Sequence, residues 1–95
     1  MPVYVALSRL TEEGSKTLKH KPERIQEVNS DLEAMGIKVL AQYAVLGSYD
    51  FVNILEAPDN NTIARMSVEI GSRGSVRLHT MPAMPVDELI SDLKG

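Results

Sequence analysis

An α+β fold, one four-stranded antiparallel sheet in β-α-β-β-α-β order followed by a terminal helix, is predicted by three features of the chain. First, Tyr43 to Asp59 reads as strand, tight turn, strand and helix start, with Gly47-Ser48-Tyr49-Asp50 between runs rich in Val, Ile, Leu, Tyr and Phe. Second, Val3 to Arg9 and Ser75 to Met81 alternate with the two-residue period of strands. Third, two stretches with helical spacing of apolar residues lie between these strands, beginning at Pro22 and at Asp59.

Taken in order, the first strand sets Val3, Val5 and Leu7 on one face and Tyr4, Ala6 and Ser8 on the other. Thr11-Glu12-Glu13-Gly14 opens an irregular helical turn that must break near Pro22, since proline is tolerated in a first helical turn but not in an interior. From there Ile25, Val28, Leu32 and Met35 form one stripe, and Gly36 supplies a left-handed cap. Lys38 to Leu46 and Asp50 to Glu56 form the hairpin. Asp59 is the N-cap of a helix that turns Ile63, Met66 and Ile70 inward and ends at Gly71. The last strand, Ser75 to Met81, is ended by Pro82 and Pro85, and Val86, Leu89, Ile90 and Leu93 make the apolar face of a short final helix. This order is the split βαβ arrangement of ferredoxin-like domains.

Residues 1–95 are expected to form one domain, because a chain of 95 residues is too short for two cores. There is no cysteine, hence no disulfide staple, thiolate nucleophile or zinc–thiolate site. The start of the chain enters a strand without a signal-peptide pattern, and no apolar run approaches the roughly 20 residues that span a bilayer. A cytoplasmic protein without membrane association is expected. With a formal charge of −3 and its ten basic residues dispersed among thirteen acids, the chain has no field suited to nucleic acid. The densest basic stretch, Lys16 to Arg24, reads as a solvated helix face.

Two helices can cover only one side of such a sheet. If the aliphatic sets Val3/Val5/Leu7, Val52/Ile54 and Val76/Leu78 lie under the helices, the other side presents Tyr4, Ala6, Ser8, Phe51, Asn53, Leu55, Arg77, His79 and Met81. That set is too apolar for a bare surface and too polar for a dry core. A face-to-face homodimer, or a higher oligomer, enclosing a semi-polar cavity is the expected solution.

Candidate chemistry is sparse. Gly47, Tyr49 and Asp50 are explained by the turn itself: a positive φ, an aromatic lid over the hairpin end, and a carboxylate that accepts backbone N–H groups. Tyr49 and Asp50 at a barrel mouth would also suit acid/base work. Arg77 and His79, two apart on one strand face, could bind an anionic or enolic group, or pair with Glu56 or another acid. Tyr4, Tyr43 and Asn53 would complete a ligand-binding set. No histidine pair or carboxylate cluster has metal-ligand spacing, no G-x-S-x-G elbow is present, and no cofactor is called for.

The Gly-x-Tyr-Asp turn at Gly47, Tyr49 and Asp50 with its Glu56-Ala57-Pro58-Asp59 exit resembles the GYD domain family. Thr11-x-x-Gly14, Pro22-x-Arg24, Gly36 and Gly74-x-Val76-Arg77 extend the resemblance over nearly the full length. It implies a dimeric α+β barrel, an architecture that also hosts cofactor-free monooxygenases, isomerases and stress proteins, and it carries over no settled activity. Asn53 stands where the family usually has an aliphatic or small residue, and His79 where it varies, so neither is a family site. The leading expectation is a small oligomeric protein that binds a small organic molecule in a cavity at the sheet face. The alternatives are a cofactor-independent enzyme of the monooxygenase or isomerase type and a ligand-free assembly protein.

Overall fold

In the computed structural model, which describes residues 1–95, the chain runs β1 (Val3–Leu10), α1 (Glu12–His20), α2 (Arg24–Ala34), β2 (Lys38–Ala44), β3 (Phe51–Glu56), α3 (Asn60–Gly71), β4 (Val76–Ala83) and α4 (Val86–Leu93). The strands form one sheet in the order β2-β3-β1-β4, with every neighbouring pair antiparallel. This is the ferredoxin-like α+β fold that the element order predicts. The core joins Leu32 of α2, Ile37, and Ile63, Met66 and Ile70 of α3 to Tyr4, Ala6, Leu55 and Ala57 of the sheet side.

The helix starts follow from local hydrogen-bond needs. Asp59 caps α3 by accepting the Thr62 backbone N–H and hydroxyl, each at 2.8 Å. These two bonds, the backbone one foremost, hold its carboxyl below the ordinary aspartate value. The region after Thr11 is a regular nine-residue helix rather than the irregular turn expected from sequence, because Thr11 caps it through the Gly14 N–H at 3.0 Å. Thr11 also ties the helix to the start of β4: its hydroxyl lies 2.7 Å from the Gly74 carbonyl oxygen, and its N–H donates to Ser75 O at 3.0 Å. Gly14 has to be glycine here, since a Cβ would sit 1.9 Å from the Ser75 carbonyl oxygen. At the far end of the helical layer, Arg73 bridges Asp31 of α2 (2.7 Å) and Glu69 of α3 (3.5 Å).

The sheet faces are assigned differently from the expectation. Cross-strand register aligns Ser8 with Phe51 and Leu78, Ala6 with Asn53 and Thr80, and Tyr4 with Leu55 and Pro82. These residues share the helix-covered face, together with Val76. Val3, Val5, Leu7, Val52 and Ile54 therefore lie on the opposite face with Arg77, His79 and Met81. The aliphatic content of an alternating set misleads here because the helices bring their own bulk. Leu32, Ile63, Met66 and Ile70 fill the space over β1, so the central strand presents the small residues Ala6 and Ser8 to them.

Two boundaries also move. The hairpin connection is longer than a tight turn and spans 45–50, closed by a Val45 N–H to Asp50 O bond of 2.8 Å. Strand β4 continues through Pro82 to Ala83. It is an edge strand, where proline's missing N–H breaks no ladder on the outer side. Beyond it, α4 stands away from the body. Val86, Leu89, Ile90 and Leu93 are 69%, 45%, 43% and 78% exposed, and the molecule measures 52 × 29 × 18 Å.

Candidate functional site

The open face of the sheet is built by strand parity. One row across it runs Tyr43, Val52, Leu7 and His79; the next runs Ala41, Ile54, Val5 and Met81. Arg9 and Arg77 pair at the end of the face, one register step beyond Leu7 and His79. The result is an aliphatic belt that gives way to a cationic and aromatic end.

The 45–50 connection closes that end. Gly47 adopts φ 120°, a conformation suited to glycine, and lets the chain turn back over β1. Asp50 then continues the β1 ladder after β3 has ended: its N–H donates to Ser8 O at 2.9 Å, and its carboxylate accepts the Leu10 N–H at 2.8 Å. A side chain here replaces a strand. Arg9 donates from Nε to Ser48 O at 2.8 Å and lies with its guanidinium carbon 5.3 Å from the Tyr49 ring centre, a cation–π distance. The Tyr49 ring is 6.4 Å from that of His79. Neither Arg9, Arg77 nor His79 makes an ion pair within the chain, so the pairing with Glu56 considered from sequence does not form. Glu56 lies at the opposite end of the sheet, in register with Val3 and Lys38.

The five candidate ligand residues separate into two groups. Tyr43, Arg77 and His79 are on the open face, and Tyr43 is 62% exposed. Tyr4 and Asn53 are on the covered face. Tyr4 is buried and donates its hydroxyl to Asn60 Oδ1 at 2.6 Å. Asn53 donates from Nδ2 to Ala6 O at 3.0 Å and accepts from Gln42 Nε2 at 2.7 Å. Gln42 accepts in turn from Asn29 Nδ2 at 2.9 Å, completing an amide chain from β1 through β3 and β2 to α2. Sequence reasoning overlooked Arg9, Gln42 and Asn29. Arg9 was within reach, since it shares the parity of Leu7; the amide chain depends on a β2–β3 register that is interrupted between Val39 and Ala41.

No group of three or more His, Asp or Glu side chains is gathered closely enough to hold a metal ion, and no helix is long and apolar enough to cross a membrane. What the open face offers chemically is apolar contact with a cationic, aromatic end.

Comparison with known proteins agrees with this architecture. The chain belongs to the GYD domain family, whose model matches residues 4–92. A relative from Thermus thermophilus, named glutamine synthetase and cystathionine beta-lyase binding protein, is 54% identical over 95 residues, covering 99% of this chain and all of the relative. Among solved structures, FFRP-DM1 aligns with a TM-score of 0.59 at 24% identity, over 88% of this chain and all of that one. A hypothetical protein from Pyrococcus horikoshii aligns at 0.56 with 24% identity, over 90% and 92% of the two chains. The leucine response regulatory protein of Mycobacterium tuberculosis aligns at 0.54 with 12% identity, over 88% of this chain and 51% of its own. These structural likenesses speak for the fold alone.

Proposed function

We propose that this member of the GYD domain family is a regulatory binding protein that pairs with a second copy through its open sheet face and docks onto metabolic enzymes, glutamine synthetase and cystathionine β-lyase among them. The observation that carries the pairing is the open face itself: Val3, Val5, Leu7, Val52 and Ile54 form a contiguous aliphatic belt that no element of the chain covers. A belt of this kind is stabilised by burial against a copy of itself, which brings identical patches together around a two-fold axis. Arg77, His79 and Tyr43 then border the enclosed space, where a small organic molecule with an anionic or enolic group would find cations and a phenol.

The enzyme partners are supported by full-length similarity to the Thermus protein whose name records them. Once the sheet faces are used, α4 is the remaining apolar surface. Its stripe of Val86, Leu89, Ile90 and Leu93 is backed by Asp87, Glu88 and Asp92, the pattern of a helix that docks by one face. The reading has the protein in the cytoplasm with these enzymes.

The test separates the two surfaces. The purified chain is passed over immobilised glutamine synthetase and cystathionine β-lyase, and its mass is measured by light scattering at micromolar concentration. Saturable binding and a mass of at least two chains are expected. Leu89→Asp with Ile90→Asp should abolish enzyme binding and keep the dimer, whereas Val5→Asp with Ile54→Asp should give monomer. Failure to bind either enzyme refutes the partner assignment; a monomeric wild type refutes the pairing.

A further inference from the structure

We propose that the space between the covered sheet face and the helices is a second binding site, one that takes a neutral molecule of about one six-membered ring bearing a single hydrogen-bonding group, with phenol as the simplest example. This site is distinct from the open face and from α4, and needs no enzyme partner.

The cavity has a volume of about 120 Å³. An apolar cavity of ~150 Å³ takes up benzene, so this one has the size of a single small ring or a short branched chain. Its walls are mostly apolar and come from every layer: Val28 and Leu32 from α2, Met66 from α3, Leu78 from β4. Ala6 and Ser8 keep the β1 wall low, which is why the space exists under helices that otherwise pack closely.

One polar group in this lining stands apart. Ser8 is 5% exposed, and its hydroxyl has no hydrogen-bond partner in the protein. A buried hydroxyl without a partner costs free energy that a ligand donor or acceptor would restore. The amides and charged groups around the cavity are already engaged. Asn53, Gln42 and Asn29 bond to one another and to Ala6 O. Arg24 is paired with Glu27, and Arg73 with Asp31 and Glu69. With no unpaired charge at the walls, an ionised ligand would lose its hydration without compensation, so the ligand is neutral. Water suits the cavity less well, because each molecule needs about two to four polar partners and the apolar walls do not supply them.

The experiment titrates the isotopically labelled full chain with phenol, benzene and benzoate while recording amide and methyl NMR shifts. Phenol should saturate, with methyl shifts centred on Val28, Leu32 and Leu78, and should bind about tenfold or more tighter than benzoate. Ala6→Leu and Val28→Phe fill the cavity from the sheet and from the helix, and each should weaken phenol about tenfold while circular dichroism reports the native fold. Ser8→Ala is too small a change to unfold the sheet, and it should reduce the affinity for phenol to that for benzene. The proposal is overturned if phenol does not saturate at about 10 mM. It is equally overturned if the shifts centre on His79 and Met81, if benzoate binds as well as phenol, or if Ser8→Ala leaves the preference for phenol unchanged.

Discussion

The two faces of this sheet are made from alternating residues of the same strands, yet they are held by different means. On the covered face β1 contributes Tyr4, Ala6 and Ser8, all buried; on the open face it contributes Val3, Val5 and Leu7, all partly exposed. The more aliphatic set is the one left uncovered. Burial within a chain is thus decided by what can approach: helices carrying Leu32, Met66 and Ile70 need small residues beneath them. An aliphatic set that the chain itself does not bury is a surface for another molecule.

The sharpest way to break that comparison is to truncate one residue on each face. Leu55 is 1% exposed on the covered face, and Leu55→Ala should cost about 2–5 kcal/mol in chemical denaturation, the usual range for a buried leucine. Val5→Ala on the open face should act through assembly. Its melting temperature should depend less on protein concentration than that of wild type, because what is lost is contact with a second copy. If Val5→Ala instead costs as much as Leu55→Ala at all concentrations, the open face is an internal core and the comparison fails.

A middle-sized effect belongs to the junction of the faces. Asp50 accepts the Leu10 N–H at 2.8 Å where β3 no longer reaches β1. Asp50→Ala leaves that donor without its partner in a partly buried position, at about 1–3 kcal/mol. Asp50→Asn retains an acceptor and should recover most of the loss. A catalytic role for the carboxylate would not be rescued in this way, so the pair of variants distinguishes turn chemistry from acid/base chemistry.

Much of the fold was legible because its signals are local. The Asp59 cap, the positive φ of 83° at Gly36, the break at Pro22 and the stripe of Ile63, Met66 and Ile70 each follow from neighbours within a few residues. The faces were not legible because register is a relation between strands. Nothing near Val76 and Leu78 shows that they align with Leu10 and Ser8 rather than with Leu7 and Arg9. That one-residue step divided the candidate ligand set, leaving Arg77, His79 and Tyr43 on the open face and Tyr4 and Asn53 beneath the helices. The cavity was hidden for the same reason, since its Ala6 and Ser8 floor was expected to face outward.

The smallest expected effect sharpens the comparison from the helical side, by loosening the cover without touching either face. Asp59 caps α3 through Thr62, and the two bonds hold its carboxyl below the ordinary value of 3.8. A carboxyl whose folded pKa lies below its unfolded one stabilises the fold fully above the unfolded value, and the contribution fades as pH falls through the folded value. Asp59→Asn keeps a capping oxygen but has no charge to lose. Wild type should therefore melt higher than Asp59→Asn near neutral pH, and the difference should shrink once the pH drops below about 4. Comparing the two proteins at each pH cancels the titration of the remaining carboxylates, Glu27 among them. Because Asp59 is exposed, solvent screening keeps the difference small, and it should stay well below the loss caused by Leu55→Ala. If the difference persists undiminished in acid, the cap acts through its hydrogen-bond geometry alone, and the charge of Asp59 has no part in holding α3 over the covered face.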